Sequence, residues 1–390
     1  MFALPRNVWI LTASLSLFMS LSVFVIFLGG IIGQSLSPSD SLATLPVALL
    51  VVGTASSIIP INRVMSLIGR RKVFLGVCLY TLVIISVAIV ALQIQSFYLF
   101  CITTFLFGIT TATMNQFRFA AIESVNKDLG ATATSTVLVG GLASAFLGPE
   151  LATLGKDLLN TAFIGSFLLL SICFIGAFGL LWFYQQTNMT EKQSSDGARS
   201  LSVIIKQPVF IVAISSAAVG YVIMSYLMTA TPMSMHVIDK FSLEQTKFVI
   251  QSHVIAMFLP SLFTPIIIRW LGLGKMMLIG VLIYFICIAL AYSGHALHNY
   301  WMALVLLGLG WNFLFIGGTS LLPQAYNDNE KFKVQSLNDF LIFGIQALAS
   351  LSAGWFVFNI GWDLVLLSVL PLLILQFITL TWWLAIRSKH

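Results

Sequence analysis

The chain has 390 residues, of which 59% are hydrophobic and only 8% charged. A soluble domain carries about 25% charged residues, so this composition excludes a water-soluble globule, and the mean hydropathy of +1.00 excludes disorder over most of the length. The net charge of +6 fits basic loops beside a bilayer, and no nucleic-acid partner is expected. A spanning helix needs roughly 20 apolar residues. Twelve such runs are predicted, at 8–31, 43–65, 72–93, 97–121, 132–155, 160–184, 207–232, 247–268, 275–294, 299–321, 335–358 and 363–386. The first is longer than the apolar core of a secretory signal, about 7–15 residues, and is expected to be retained. Strands are not expected, because the runs are twice the length of a barrel strand and do not alternate polar with apolar.

Lysine and arginine set the expected orientation. Counting loops alternately, one side holds fifteen basic residues, including Arg6, Arg63, Arg70, Arg71, Lys72, Lys127, Lys192, Arg199 and Lys389, and the other only Lys156, Lys240 and Lys247. Both termini are therefore expected in the cytoplasm. A polar stretch follows the sixth run, so the expected division is an N-terminal six-helix bundle over 1–184, a cytoplasmic linker over 185–206 and a C-terminal six-helix bundle over 207–390. With an offset of 204, Asp40 falls on Glu244, Arg71 on Lys275, Gly76 on Gly280 and Tyr80 on Tyr284. The expected fold is all-α and integral to the membrane, two pseudo-symmetric bundles built as parallel repeats.

Polar residues inside apolar runs are the candidates for function. Arg118 lies deep in the fourth run, with Thr111 and Asn115 on its helical face. It either binds an anionic group or tunes a proton site, or it snorkels to lipid phosphates. Glu123 is five residues on, off that face, and is either a gate contact to another helix or a helix-end carboxylate. Glu150, after Gly148 and Pro149, and Asp339 are each a protonatable carboxylate or a wet helix end. His253 is a proton carrier or a structural histidine. Thin polar stripes mark the first helix (Thr12, Ser16, Ser20), the seventh (Tyr221, Ser225, Thr229) and the tenth (Asn312), and Tyr221 and Trp311 are placed to stack on a solute. The four cysteines lack ligand spacing, and neither a metal site nor a cofactor is expected. There is no Walker A pattern and no Gly-x-Ser-x-Gly, so neither ATP-driven work nor an enzyme is expected.

The loop ending Gly69-Arg70-Arg71-Lys72 matches the end of the signature between the second and third helices of the major facilitator superfamily, although Ser66 and Leu67 stand where its aspartate and arginine would be. Gly140, Gly141, Gly148 and Pro149 resemble part of that superfamily's antiporter motif. Stretches such as Met228-Thr229-Ala230-Thr231-Pro232 and Gly310-Trp311-Asn312-Phe313 are similar to a bacterial branch whose substrates are poorly assigned. The resemblance implies a cavity lined by the first, fourth, seventh and tenth helices. Gating contacts are expected around Gly69, Arg70, Arg71, Glu123, Gly148 and Pro149. The function expected is secondary active transport of a small organic solute, an anionic metabolite or siderophore, across a bacterial inner membrane by alternating access, coupled to protons, by a monomer. The alternatives are a multidrug/proton antiporter and a membrane sensor without transport.

Overall fold

The computed structural model describes residues 4–126, 129–186, 199–327 and 330–387. Lys127, Lys192, Lys389 and most of the expected linker (187–198) lie outside the described residues. Every element among the described residues is helical. Lipid offers no hydrogen-bond partner to the backbone, so each segment must satisfy its own N–H and C=O groups, and a helix does so within a single run. In chain order the main helices are α1 (Arg6–Leu36), α2 (Leu45–Ile68), α3 (Arg70–Gln93), α4 (Phe97–Met114), α5 (Gly130–Leu154), α6 (Ile164–Trp182), α7 (Pro208–Pro232), α8 (Leu243–Phe258), α9 (Thr264–Tyr292), α10 (Leu297–Leu321), α11 (Lys331–Asn359) and α12 (Leu370–Arg387).

Among the described residues, eleven helical stretches are long and apolar enough to cross a membrane. The eighth expected run is the exception in form. α8 ends at Phe258, a 3-10 turn over Leu259–Leu262 contains Pro260, and the helix resumes at Thr264. Proline removes a backbone donor and crowds the preceding turn, which breaks the run here without ending it. α9 then bends at Gly272, whose φ of +75° lies in the left-handed region. Gly69, with φ of +88°, makes the matching turn between α2 and α3. Both turns need a residue without Cβ. With the eighth run restored across its break, the fold is twelve membrane helices in two pseudo-symmetric bundles. Large apolar side chains on its outer faces, such as Leu79, Val83, Tyr98, Ile172 and Trp270, are exposed, as a lipid-facing surface requires.

The chain forms two compact units. Unit 1 comprises Met1–Met189 with Pro232–Ile255, and unit 2 comprises Thr190–Thr231 with Ala256–His390. In unit 1 the helices meet through small residues. A Cβ on Gly53 would lie 2.0 Å from the Phe105 carbonyl oxygen, and one on Gly108 would lie 2.1 Å from the Gly53 carbonyl carbon, so α2 and α4 touch backbone to backbone. Between tails of equal apolarity, such close packing is what holds helices together. Unit 1 also holds a chain of edge-to-face rings: Phe117 lies 5.0 Å from Phe18 and 4.7 Å from Phe74. Such pairs contribute ~0.5–1.5 kcal/mol each.

Candidate functional site

The segment carrying Arg118 is not a straight continuation of α4. α4 ends at Met114, and after Asn115 and Gln116 a short helix runs Phe117–Glu123. Phe117, fully buried between α1 and α3, fixes the segment, and the half-buried Arg118 places its guanidinium 4.7 Å from the centre of the Phe119 ring. Asn115 is half-buried at the turn. Thr111 is buried against α2, where its hydroxyl pairs with Thr54 and donates to the Gly108 carbonyl at 2.9 Å.

The α1 stripe turns on itself. Thr12 donates to the Val8 carbonyl at 2.8 Å, Ser16 to Thr12 at 3.2 Å and Ser20 to Ser16 at 2.7 Å. It lies along the glycine face of α5: a Cβ on Gly140 would be 2.4 Å from the Thr12 carbonyl oxygen, and one on Gly148 would be 2.9 Å from that of Ser20. Pro149 sits inside α5 immediately after this contact.

Charged residues of unit 1 gather at two places. At the α2–α3 turn, Arg70 holds Glu123 in a fork, Nε to Oε2 at 2.9 Å and Nη2 to Oε1 at 2.8 Å, while Nη1 donates to Gln116 at 3.1 Å. Glu123 is thus bound to a different helix from its own. Arg71 donates to the Trp182 carbonyl at 2.6 Å and lies 5.7 Å from the Trp182 ring centre. The Gly69 position is closed by Gln186. In the second place, Glu150 meets α8: Lys247 Nζ lies 3.2 Å from its Oε1, and Gln251 donates to the same oxygen at 3.3 Å. Glu244 lies 2.6 Å from Lys247 on its other side. His253, two residues beyond Gln251 on α8, is fully buried.

In unit 2 the α7 stripe faces α11 in three rungs. Tyr221 packs on Phe343 with ring centres 5.4 Å apart, Ser225 accepts from Gln346 at 3.1 Å, and the Thr229 and Ser350 hydroxyls lie 3.0 Å apart. Trp311 of α10 stacks on Phe315 at 5.0 Å with an angle of 17°, and Tyr221 stands edge-on to both, at 5.3 and 4.9 Å. Phe258 closes the far side of Trp311 at 5.8 Å. Asn312 is completely buried. It donates to the Met257 carbonyl and the Ser261 hydroxyl, both at 2.7 Å, and accepts from Thr264 at 3.4 Å. Its amide is therefore engaged at both ends, and it ties α10 to the broken end of α8. Asp339 is half-buried and accepts from Asn338 at 3.1 Å.

Outside the spans, unit 2 has an ionic clamp at the start of α11. Glu330 is 0% exposed and accepts from Arg199 N and Nε at 2.8 Å, from Arg199 Nη2 at 2.7 Å and from Asn327 N at 2.8 Å. The Arg199 side chain, with the backbone N–H of Asn327, holds the Glu330 carboxyl down at about 2, and the same pairing raises Arg199. Sequence reasoning did not single out Phe315, Phe343, Lys247 or this clamp. The +4 spacing of Phe315 from Trp311 was the only signal available for any of them. No group of three or more metal-ligating side chains occurs among the described residues.

The family model described as Major Facilitator Superfamily matches residues 10–338. The riboflavin transporter RfnT of Brucella anthropi is 34% identical over 381 residues, spanning 97% of this chain and 96% of its own. YdeG of Bacillus subtilis, described as an uncharacterized MFS-type transporter, is 29% identical over 339 residues, covering 80% of this chain and 77% of its own. The crystal structure of human MFSD10 (TETRAN), described as an organic anion transporter, superimposes with a TM-score of 0.70 at 14% identity, covering 97% of this chain and all of that one.

Proposed function

The chain belongs to the major facilitator superfamily, and from that premise we propose that it is a secondary carrier of a flavin, riboflavin or a close relative. The observation that carries this reading is the end-to-end match, at 34% identity, to a protein named as a riboflavin transporter. The polar and aromatic chemistry of unit 2 agrees with it. Tyr221, Trp311, Phe315 and Phe343 are neutral and aromatic, which suits an uncharged flat solute better than an anion. In this reading Asn312 positions Trp311 rather than touching the solute.

The carrier works by alternating access in a bacterial inner membrane with both termini cytoplasmic, as a monomer. It is driven by protons, with Glu150, His253 and Asp339 as the groups that take them up. The Arg70–Glu123 fork and the Glu150–Lys247 contact are the pairs that break and reform during the cycle.

The test is uptake of radiolabelled riboflavin into proteoliposomes carrying the purified chain. Saturable uptake above empty liposomes, increased by an inside-alkaline pH gradient and abolished by a protonophore, is expected. Failure of riboflavin to enter, with uptake of a carboxylate siderophore that is lost in Arg118→Ala, would transfer the reading to an anion carrier. Export of lipophilic cations instead would make it a drug antiporter.

A further inference from the structure

We propose that unit 2 recognises its solute by the ring alone. Tyr221, Trp311, Phe315 and Phe343 form the face on which a flat heteroaromatic ring stacks, and the Trp311 indole N–H and the Gln346 amide bind the carbonyl and N–H groups along the ring's edge. This rests on the flavin reading above and adds which part of the molecule is read.

Two observations carry it. The first is the arrangement of the rings. Trp311 and Phe315 are nearly parallel, and Tyr221 crosses them edge-on while touching Phe343. Trp311 is buried, but Tyr221, Phe315 and Phe343 are only half-buried. The cluster is therefore not a sealed core, and it leaves ring area uncovered by the protein.

The second observation is a pair of unused polar atoms. Trp311 is 3% exposed, and its indole nitrogen has no hydrogen-bond partner among the described residues. Gln346 is 8% exposed and gives its amide nitrogen to Ser225, while its amide oxygen has no partner among them. Buried polar groups are almost always paired, because leaving one unpaired forfeits its interaction with water. A phenylalanine at 311 would stack equally well without leaving a donor over.

The two atoms belong to one neighbourhood. Ser225 is one turn beyond Tyr221 on α7, and Gln346 is one turn beyond Phe343 on α11, so the amide sits a single rung from the Tyr221–Phe343 contact. A spare donor and a spare acceptor beside stacked rings match an edge on which a carbonyl adjoins an N–H, as on the pyrimidinedione ring of a flavin. None of these groups would select the polyhydroxyl tail. The solute class is thus alloxazine and isoalloxazine rings with that edge free, whatever the tail.

The experiment is equilibrium binding to the purified full-length chain, followed by flavin fluorescence and by calorimetry. The probes are riboflavin, lumichrome, which keeps the ring and edge but lacks the tail, and N3-methylriboflavin, whose edge N–H is blocked. Riboflavin and lumichrome are expected to bind within about threefold of each other, and N3-methylriboflavin about tenfold more weakly. Trp311→Phe should weaken riboflavin and lumichrome about tenfold, and Gln346→Leu should erase the difference between riboflavin and its N3-methyl form. Thermal midpoints report whether each variant is folded, and either variant alone suffices if the other is not.

Riboflavin binding unchanged in both folded variants would overturn the ring-face proposal while leaving the carrier reading intact. Riboflavin bound with lumichrome rejected would likewise replace ring recognition by tail recognition. No riboflavin binding to the folded wild-type chain would remove the flavin reading itself.

Discussion

The crossing of α2 and α4 in unit 1 and the contact of α10 with Met257 and Phe258, the end of α8 that belongs to unit 2, occupy the same place in the repeat and are built in opposite ways. Shifted by 204 residues, Gly53 falls on Met257, Thr54 on Phe258, Gly108 on Asn312 and Thr111 on Phe315. In unit 1 the four residues are small. The two backbones touch, and a buried hydroxyl pair between Thr54 and Thr111 completes the contact. In unit 2 the four are large. One amide, Asn312, spans to the Met257 carbonyl, and the two phenylalanines flank Trp311. The aromatic face therefore stands where the first half has one of its tightest backbone contacts. Duplication supplied the same helix pair twice. One copy is closed by backbone contact, and the other is spanned by side chains that carry ring surface.

The largest effect is expected from breaking the closed crossing. In Gly108→Leu a side chain would have to occupy space already filled by the Gly53 backbone, since even its Cβ would lie 2.1 Å from a carbonyl carbon. No rotamer relieves that overlap. The cost exceeds the ~1–3 kcal/mol typical of overpacking, and the expected outcome is loss of monodisperse protein after detergent extraction. A Gly108→Leu protein that elutes and melts like wild type would show that α2 and α4 are not in backbone contact.

Breaking the open crossing is expected to cost less but to reach further. Asn312→Ala removes an amide that serves three partners and leaves the Ser261 and Thr264 hydroxyls short of one. A net loss of ~1–3 kcal/mol is expected, with membrane interiors toward the lower end. The neighbouring Trp311 then loses its fixed position, so riboflavin binding should weaken more than the drop in thermal midpoint alone explains. Equal, proportionate losses of stability and binding would instead make Asn312 a purely structural tie.

How far this contrast was legible beforehand follows from which interactions are local. The twelve apolar runs are a one-dimensional property imposed by lipid, so they follow from hydropathy, but the expectation of an unbroken eighth run over 247–268 did not include the break at Pro260. Trp311 and Asn312 stand out in sequence as a ring and an amide within a span. Phe315 and Phe343 do not, because in a chain with 31 phenylalanines each looks like packing until three helices bring two of them to Tyr221. Arg118 lies on a short helix of its own, set off from α4 by the turn at Asn115–Gln116, and neither a proline nor a glycine announces that turn. Glu330 caps the start of α11 outside the membrane spans, where a carboxylate is ordinarily wet. Its complete burial depends on Arg199, 131 residues away, which no periodicity reveals.

The same contrast between halves recurs at the ends of these helices, and there it predicts the smallest effect. Glu123, beyond α4, is 36% exposed within its Arg70 fork, whereas Glu330, beyond α10, is 0% exposed and receives four donors. An exposed pair of the first kind contributes ~0–1 kcal/mol. For Glu330 the folded pKa, about 2, lies below the ordinary value of 4.5. A depressed carboxyl stabilises fully above its unfolded pKa and loses that contribution as pH falls through the folded one. The Arg199–Glu330 clamp should therefore add no pH dependence to the thermal midpoint between pH 8 and about 5.5. Below pH 4.5 the wild-type midpoint should fall toward that of Glu330→Gln, the two meeting near pH 2. A gap between the two proteins that already narrows at pH 6 would mean that the carboxyl is not held down by Arg199, and that the loop before α11 is as open to water as the one after α4.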